Sequence, residues 1–354
     1  MTGSFAFGLS ILSIATIAWS VFEVPTGMLS DVIGRKRTMI LGSLAGTAAI
    51  VCYAIGGSFL MLAVGSVFAG IGRSFFSGNN EALLYESLGV ERQREDFGTF
   101  LGKTSTMFQV GLAASALIGG VVASRSLAWV MWISVIPQLF CLILSFCFTE
   151  PRVHGKESTN ILSHLDEAVG QFQLNGKLRS LSITSIVDFG IEETVHQFKP
   201  VFVALFWPIW AVGLARMLGH LFAALSFWFS GTLMKKWKPL KLIVISEAMS
   251  RGINIVAFGF PTVFSPLLSS IVSLFYGAKT VAQNTLLQWE FTEKQRATMG
   301  SINAFFGSMF YAACTLLLGI VADTLGPAHT LLLAEIILIP IILVYWKLFR
   351  LHGS

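Results

Sequence analysis

Charge is what this chain has least of. Lys, Arg, Asp and Glu make up 12% of its 354 residues, about half the share of an ordinary soluble domain. That excludes a water-soluble globular protein, whose surface needs polar side chains to stay wetted. Metal-binding spacings are missing too. The six histidines include no His-x-x-x-His pair and the four cysteines no Cys-x-x-Cys, so neither a zinc site nor a redox dithiol is expected. Glu193-x-x-His196 has the spacing of a carboxylate-bundle metal motif, yet no second copy accompanies it. No Gly-x-Ser-x-Gly elbow and no phosphate loop occur, which removes the commonest signs of hydrolase and nucleotide chemistry. We expect no metal, no cofactor and no enzyme activity. The first residues carry no positive charge ahead of a short apolar stretch, so no cleavable signal peptide is expected.

What fills the space is apolar. Hydrophobic residues make up 54% of the chain, with 30 Phe and 9 Trp, and the mean hydropathy is +0.73. A hydrocarbon core about 30 Å thick needs roughly 20 apolar residues in a helix. Such segments fall near 7–29, 38–56, 59–81, 104–124, 128–149, 180–200, 208–230, 240–259, 263–287, 298–322 and 327–349. Backbone groups in lipid must pair internally, so these are helices. The expected class is an all-α polytopic membrane protein with about eleven spans. Cys52, Cys141, Cys147 and Cys314 all lie in apolar runs and are expected as small buried hydrophobes.

The scarce basic residues are unevenly placed. Eighteen of the 24 Lys and Arg fall in one set of alternate loops, from Arg35–Arg37 to Lys347 and Arg350. The net charge of +5 therefore signals membrane orientation and not nucleic-acid binding. By the positive-inside rule these loops and the C-terminus are cytoplasmic. The long hydrophilic stretch 150–179 separates an N-terminal bundle (1–149, five spans) from a C-terminal bundle (180–354, six spans). Within it Ile161, Leu162, Leu165, Val169 and Phe172 recur mostly three or four apart, predicting an amphipathic helix on the membrane surface.

The halves are related. Gly27-Met-Leu29 before Arg35–Arg37 corresponds to Gly231-Thr-Leu233 before Lys235–Lys241, an offset of 204 residues. Arg94 and Gly98 correspond to Arg296 and Gly300, an offset of 202. Internal repeats of this size are frequent in transporters.

Gly27-Met-Leu29-Ser30-Asp31-Val-Ile-Gly34-Arg35-Lys36-Arg37, at the end of the first span, resembles the loop signature of the major facilitator superfamily, Gly-x-Leu-(Ala/Ser)-Asp-x-x-Gly-Arg-(Lys/Arg). The resemblance extends along the whole chain and implies two pseudo-symmetric helical bundles around a central cavity. It also implies that the family's first helix would precede the first span seen here. It further implies a cytoplasmic gate: Asp31 against the start of the helix near Thr298, and Arg35 paired with Glu86. Other family patterns are degraded. On the fifth helix Gly111, Gly119 and Gly120 match an antiporter pattern, but Ser115 and Ala116 replace its central Gly-Pro. On the fourth, Gly70 aligns while Ser66 and Ala69 stand at the specified polar positions; Arg73, one turn on, either substitutes or pairs with Glu81.

Each ionisable residue within a span needs a reason, since one at the bilayer centre costs about 2.5–3.5 kcal/mol on insertion scales. Asp188, Glu192, His196 and Lys199 share one face of their helix, with Asp188 about 13 Å beyond Arg179 and near the midplane. Asp188, assisted by Glu192 and His196, is the expected proton-coupling site, with Glu81 and Glu23 as further candidates. Arg73, Asn79, Asn80, Arg216, Arg251, Lys279, Gln283 and Asn284 are expected along the cavity, Arg216 paired with His220 and Glu247 with Arg251 at helical spacing. The expected activity is secondary transport of a small solute by alternating access, as proton-coupled efflux of amphipathic compounds. The alternative is proton-coupled uptake of a sugar or organic anion, and a remote one is a membrane-embedded enzyme or receptor. The expected setting is a monomer in the cell membrane, of the bacterial inner-membrane type, with small-molecule substrate, protons and lipid as partners and no nucleic acid.

Overall fold

Helices account for nearly all of the described residues because every span must satisfy its own backbone in lipid. The computed structural model describes residues 4–77, 79–87, 93–150, 170–290 and 296–352. The first bundle contains α1 (Phe5–Ile33), α2 (Arg35–Ile55), α3 (Phe59–Phe76), α4 (Asn79–Ser87), α5 (Gln93–Ala123) and α6 (Leu127–Cys147). The second contains α7 (Gly176–Val203), α8 (Ile209–Lys236), α9 (Pro239–Gly259), α10 (Ser265–Ile271), α11 (Ser273–Glu290) and α12 (Arg296–His352).

Several bounds depart from the apolar runs for readable reasons. The third expected span ends at Phe76, where Ser77 leaves helical geometry, and resumes as α4. The ninth is split at Val272 into α10 and α11. The last two run on as α12 across Gly326, whose φ of 75° marks the turn between them. Eight described segments are long and apolar enough to cross a membrane. The 302–351 segment among them holds two spans. α7 falls outside that set because Asp188, Glu192, Glu193 and Lys199 interrupt its apolar run. The surface helix expected over Ile161, Leu162, Leu165 and Val169 lies outside the described residues; Phe172 packs against the second bundle's core. The cysteines differ from expectation: only Cys314 is buried, while Cys141 and Cys147 are exposed on α6. An apolar thiol is as stable against lipid as against protein, so an apolar run does not dictate burial.

Helices alternate in direction, so one end of the molecule collects Arg35–Arg37, Lys177, Arg179, Lys236, Lys238, Lys241, Lys347 and Arg350. We call it the basic end. Within the first bundle α1 and α2 pack on α3, and α2 on α6. Within the second, α7 and α9 pack on α12 and α8 on α11. The bundles meet where α1 lies along α12 and α5 along α8. Glycine permits the closest approach: a Cβ on Gly120 would lie 2.7 Å from the Cα of Gly213, the small-residue contact on which membrane helices depend for packing.

Candidate functional site

Three helices of the second bundle each carry two polar residues one turn apart, which places both on the same stripe. α7 carries Asp188 and Glu192, α9 carries Glu247 and Arg251, and α11 carries Lys279 and Gln283. The stripes converge. Arg251 Nη2 lies 3.3 Å from Asp188 and 2.9 Å from Glu247 and also pairs with Glu192, while Nη1 lies 2.8 Å from Glu335 of α12. Lys279 Nζ is 2.8 Å from Asp188, 2.5 Å from Glu192 and 2.8 Å from Glu247. Amides complete the ring. Gln283 donates to Asp188 at 3.0 Å and to the Tyr345 hydroxyl at 2.8 Å, and Asn254 donates to Glu335 at 2.7 Å.

The cluster thus joins four carboxylates to two cations. In a low-dielectric interior such a group persists only because nearly every oxygen is paired or hydrogen-bonded. Its members differ in access. Asp188, Glu247, Arg251, Lys279 and Glu335 have side chains at most 4% exposed, whereas Glu192 is 22% exposed. Glu192 is therefore the point at which this cluster touches its surroundings. Carboxylate oxygens of Asp188, Glu192 and Glu247 come within 4.8 Å of one another, close enough to hold a small cation. The ammonium of Lys279 occupies that cradle.

The remaining predicted residues distribute as follows. His196 does not join Asp188 and Glu192; its ring stands 6.1 Å from that of His220, edge to face. With Lys199, Arg216, Ser269, Ser270 and Ser273 it lines a separate small pocket. Lys199 donates to the Ser269 carbonyl at 3.3 Å, and His220 contacts Gln109 of α5 at 3.2 Å. Asn284 is exposed and outside the cluster. Glu193 points away from the cluster and accepts from Gln197 at 2.9 Å.

In the first bundle, Glu23 accepts from Ser77 at 2.6 Å, and the Arg73 guanidinium lies over the Trp19 ring at 3.9 Å. Asn79 is buried: its carbonyl accepts from Ser30 at 2.8 Å and its amide donates to the Arg35 backbone at 3.3 Å. It ties down the loop signature. Asn80 is exposed. Arg35 also donates to Ser30 at 2.9 Å. The helix expected to start near Thr298 begins at Arg296; the side chains of Asp31, Glu81, Glu86 and Thr298 lie outside the described residues.

Four residues went unsuspected, among them Asn254 of α9, which joins the ring through Glu335. Glu335 and Tyr345 sit in the last, strongly apolar span; a lone buried acid there was the available signal for the first. Glu150, just past α6, accepts from the backbone N–H groups of Arg35 at 2.6 Å and Lys36 at 2.9 Å. It caps the amino end of α2, where unsatisfied donors and the helix dipole favour an anion.

Comparison with known proteins agrees with this architecture. The family model described as Major Facilitator Superfamily matches residues 2–314. The chain belongs to that superfamily, and so to the transporters and not the enzymes. Among solved structures, a variant of the nucleoside transporter NupG has a TM-score of 0.83 at 13% identity, covering 98% of this chain and 91% of that one. A bacterial homologue of the human lysosomal transporter Spinster, inward-facing and unoccupied, has a TM-score of 0.72 at 14% identity, covering 98% and 95%. These likenesses concern the fold. The MFS-type efflux pump MMF1 of Mycosarcoma maydis is 26% identical over 213 residues, 59% of this chain. That match spans 32% of the relative's length.

Proposed function

We propose that this chain is a secondary transporter that exchanges protons for a small amphipathic solute, moving it outward by alternating access. The observation that carries the proposal is the buried cluster around Asp188, in which four carboxylates outnumber two cations. A proton on one carboxylate reduces the excess of negative charge, and Glu192 provides the exposed edge through which it arrives. Asp188 sits behind it, held by Lys279, Arg251 and Gln283. Taking up or releasing a proton there changes how tightly α7 is bound to α9 and α11, which gives protonation a mechanical consequence. The basic end is assigned to the cytoplasm, so the C-terminus lies inside a bacterial-type inner membrane, and the monomer is the working unit. The outward direction draws support from the efflux pump to which the chain is similar.

Reconstitution in liposomes with an imposed pH gradient tests this, with ethidium as the amphipathic probe. Asp188→Asn is expected to abolish gradient-driven ethidium movement while sparing its downhill exchange. Normal gradient-driven movement in that variant would place the coupling site elsewhere, with Glu81 and Glu23 next to be tried. A second reading, proton-coupled uptake of an organic anion, is favoured by the pocket that gathers Lys199, Arg216 and His196. Acceleration of carboxyfluorescein uptake by an inward proton gradient, with ethidium unmoved, would select it.

A further inference from the structure

Two helix ends on opposite faces of the molecule are written in the same frame. Gly27-x-x-Ser30-Asp31-x-x-Gly34 closes α1, and Gly319-x-x-Ala322-Asp323-x-x-Gly326 closes the first half of α12. The closing glycines share a backbone conformation: Gly34 has φ 95° and ψ 162°, and Gly326 has φ 75° and ψ 167°. An L side chain rarely adopts that region, so both frames use glycine to end a helix and turn the chain. The first frame ends at the basic end. The second ends at the other face.

At the second frame the work of the aspartate is visible. Asp323 accepts from the Ser4 hydroxyl at 2.6 Å, from the Phe5 N–H at 2.5 Å and from the Ala6 N–H at 3.3 Å. These are among the first donors of α1, which no carbonyl within the helix can satisfy and where the positive end of its dipole lies. Ser4 itself caps Phe7 at 3.2 Å, so the carboxylate takes the donors that the serine leaves free. One turn earlier Gly319 allows contact, since a Cβ there would lie 2.8 Å from the Ala6 Cα. Deeper in, the Ser13 hydroxyl meets the Ala312 carbonyl at 2.9 Å and the Thr315 hydroxyl at 2.6 Å. α1 belongs to the first bundle and α12 to the second, so all these contacts except the Ser4–Phe7 cap cross between bundles.

We propose that Asp323 is a gating residue: its carboxylate, seated on the first turn of α1, latches the bundles together at the face opposite the basic loops. The Asp31 frame is its counterpart at the basic face, and the inference rests on the alternating-access reading but not on any substrate or coupling ion. The latch holds in the conformation described here. It must open for the cavity to face the other way, because Ser4, Phe5 and Ala6 cannot part from α12 while Asp323 bridges them. An inter-bundle contact made in one state and lost in the other biases the balance between them.

Side-specific labelling tests this without substrate. Ser13→Cys places a thiol beneath the latch, at a position 2% exposed. A membrane-impermeant maleimide is then applied to membrane vesicles of either orientation, and labelling of the unsubstituted chain with its four cysteines is subtracted. Adding Asp323→Ala is expected to speed labelling from the face opposite the basic loops roughly fivefold, the low end of usual coupling between sites, with no gain from the basic face. Asp323→Asn, which keeps one acceptor oxygen but loses the other and the charge, should fall between. Thr324→Ala, which removes a hydroxyl that donates to Val321 of its own turn, should match the parent. A parental labelling rate in Asp323→Ala would overturn the latch. So would an equal gain from both faces, which marks a loosened protein and not an opened gate.

Discussion

Both bundles return buried hydroxyls to backbone carbonyls, but the second adds a connected cluster of charges. In the first, hydroxyls return to backbone carbonyls of their own or a neighbouring helix, as Thr26 does to Phe22 and Ser74, at 2.8 and 3.1 Å. Two of its described charges are held singly: Glu23 meets one serine and Arg73 lies over an aromatic ring. In the second, six charged side chains from four helices form one connected cluster. The extremes of burial also fall in different bundles. None of α6's apolar window is buried, against half of α9's. A shared fold therefore does not impose shared chemistry. Helices that touch through small residues and hydroxyls can slide at little cost, whereas helices cross-linked by buried ion pairs move only when a charge is neutralised. The difference is the ground for placing the proposed proton coupling in the second bundle, with the first as the partner that the proposed gates seize and release.

The comparison is broken most directly at Arg251. Arg251→Met removes the group that bridges all four carboxylates, and breaking a buried pair from one side costs about 3–5 kcal/mol. We expect a large fall in the thermal unfolding midpoint in detergent, partly restored by adding Glu335→Gln, which removes one uncompensated acid. An unfolding midpoint equal to the parent's would mean the cluster is not what ties α7, α9, α11 and α12 together.

A smaller effect is expected at the loop signature. If Asp31 makes the anion-to-helix contact its motif implies, worth about 1 kcal/mol, Asp31→Asn should lower transport several-fold while insertion and yield stay near normal. A transport rate matching the parent's would remove Asp31 from the gate. The smallest effect belongs to the first bundle's isolated acid. Glu23→Gln keeps an acceptor for Ser77, so stability should change by less than about 1 kcal/mol, and ethidium movement should follow the pH gradient as before. Loss of coupling in this variant would reverse the assignment and make the first bundle the proton carrier.

Much of the architecture was open to reading in one dimension because lipid tolerates so few solutions. A run of about 20 apolar residues has one stable form there, so the spans were located to within a few residues even where Ser77 or Val272 interrupted them. Asp188 and Glu192 were recognisable as a pair because helical spacing puts them on one stripe, and the same rule found Glu247 with Arg251. It misled at His196, which shares the stripe but lies one turn beyond the convergence and turns toward His220. Periodicity states the direction in which a side chain leaves its helix, not what stands opposite. Glu335 shows the limit most plainly. Nothing around it in the last apolar run indicates a partner, and its cation lies 84 residues away on α9.

Sequence alone determined the class, the span positions and the family, because each depends on local composition or on a contiguous motif. Tertiary structure decided which charges are paired and which bundle holds them. It also decided that Lys279 fills the three-carboxylate cradle and that Asp323 caps a helix 318 residues away. Those outcomes depend on which faces of distant helices are packed together. In a low-dielectric interior a charge is stable only beside its partner, so the partner's identity becomes known only when the helices have met.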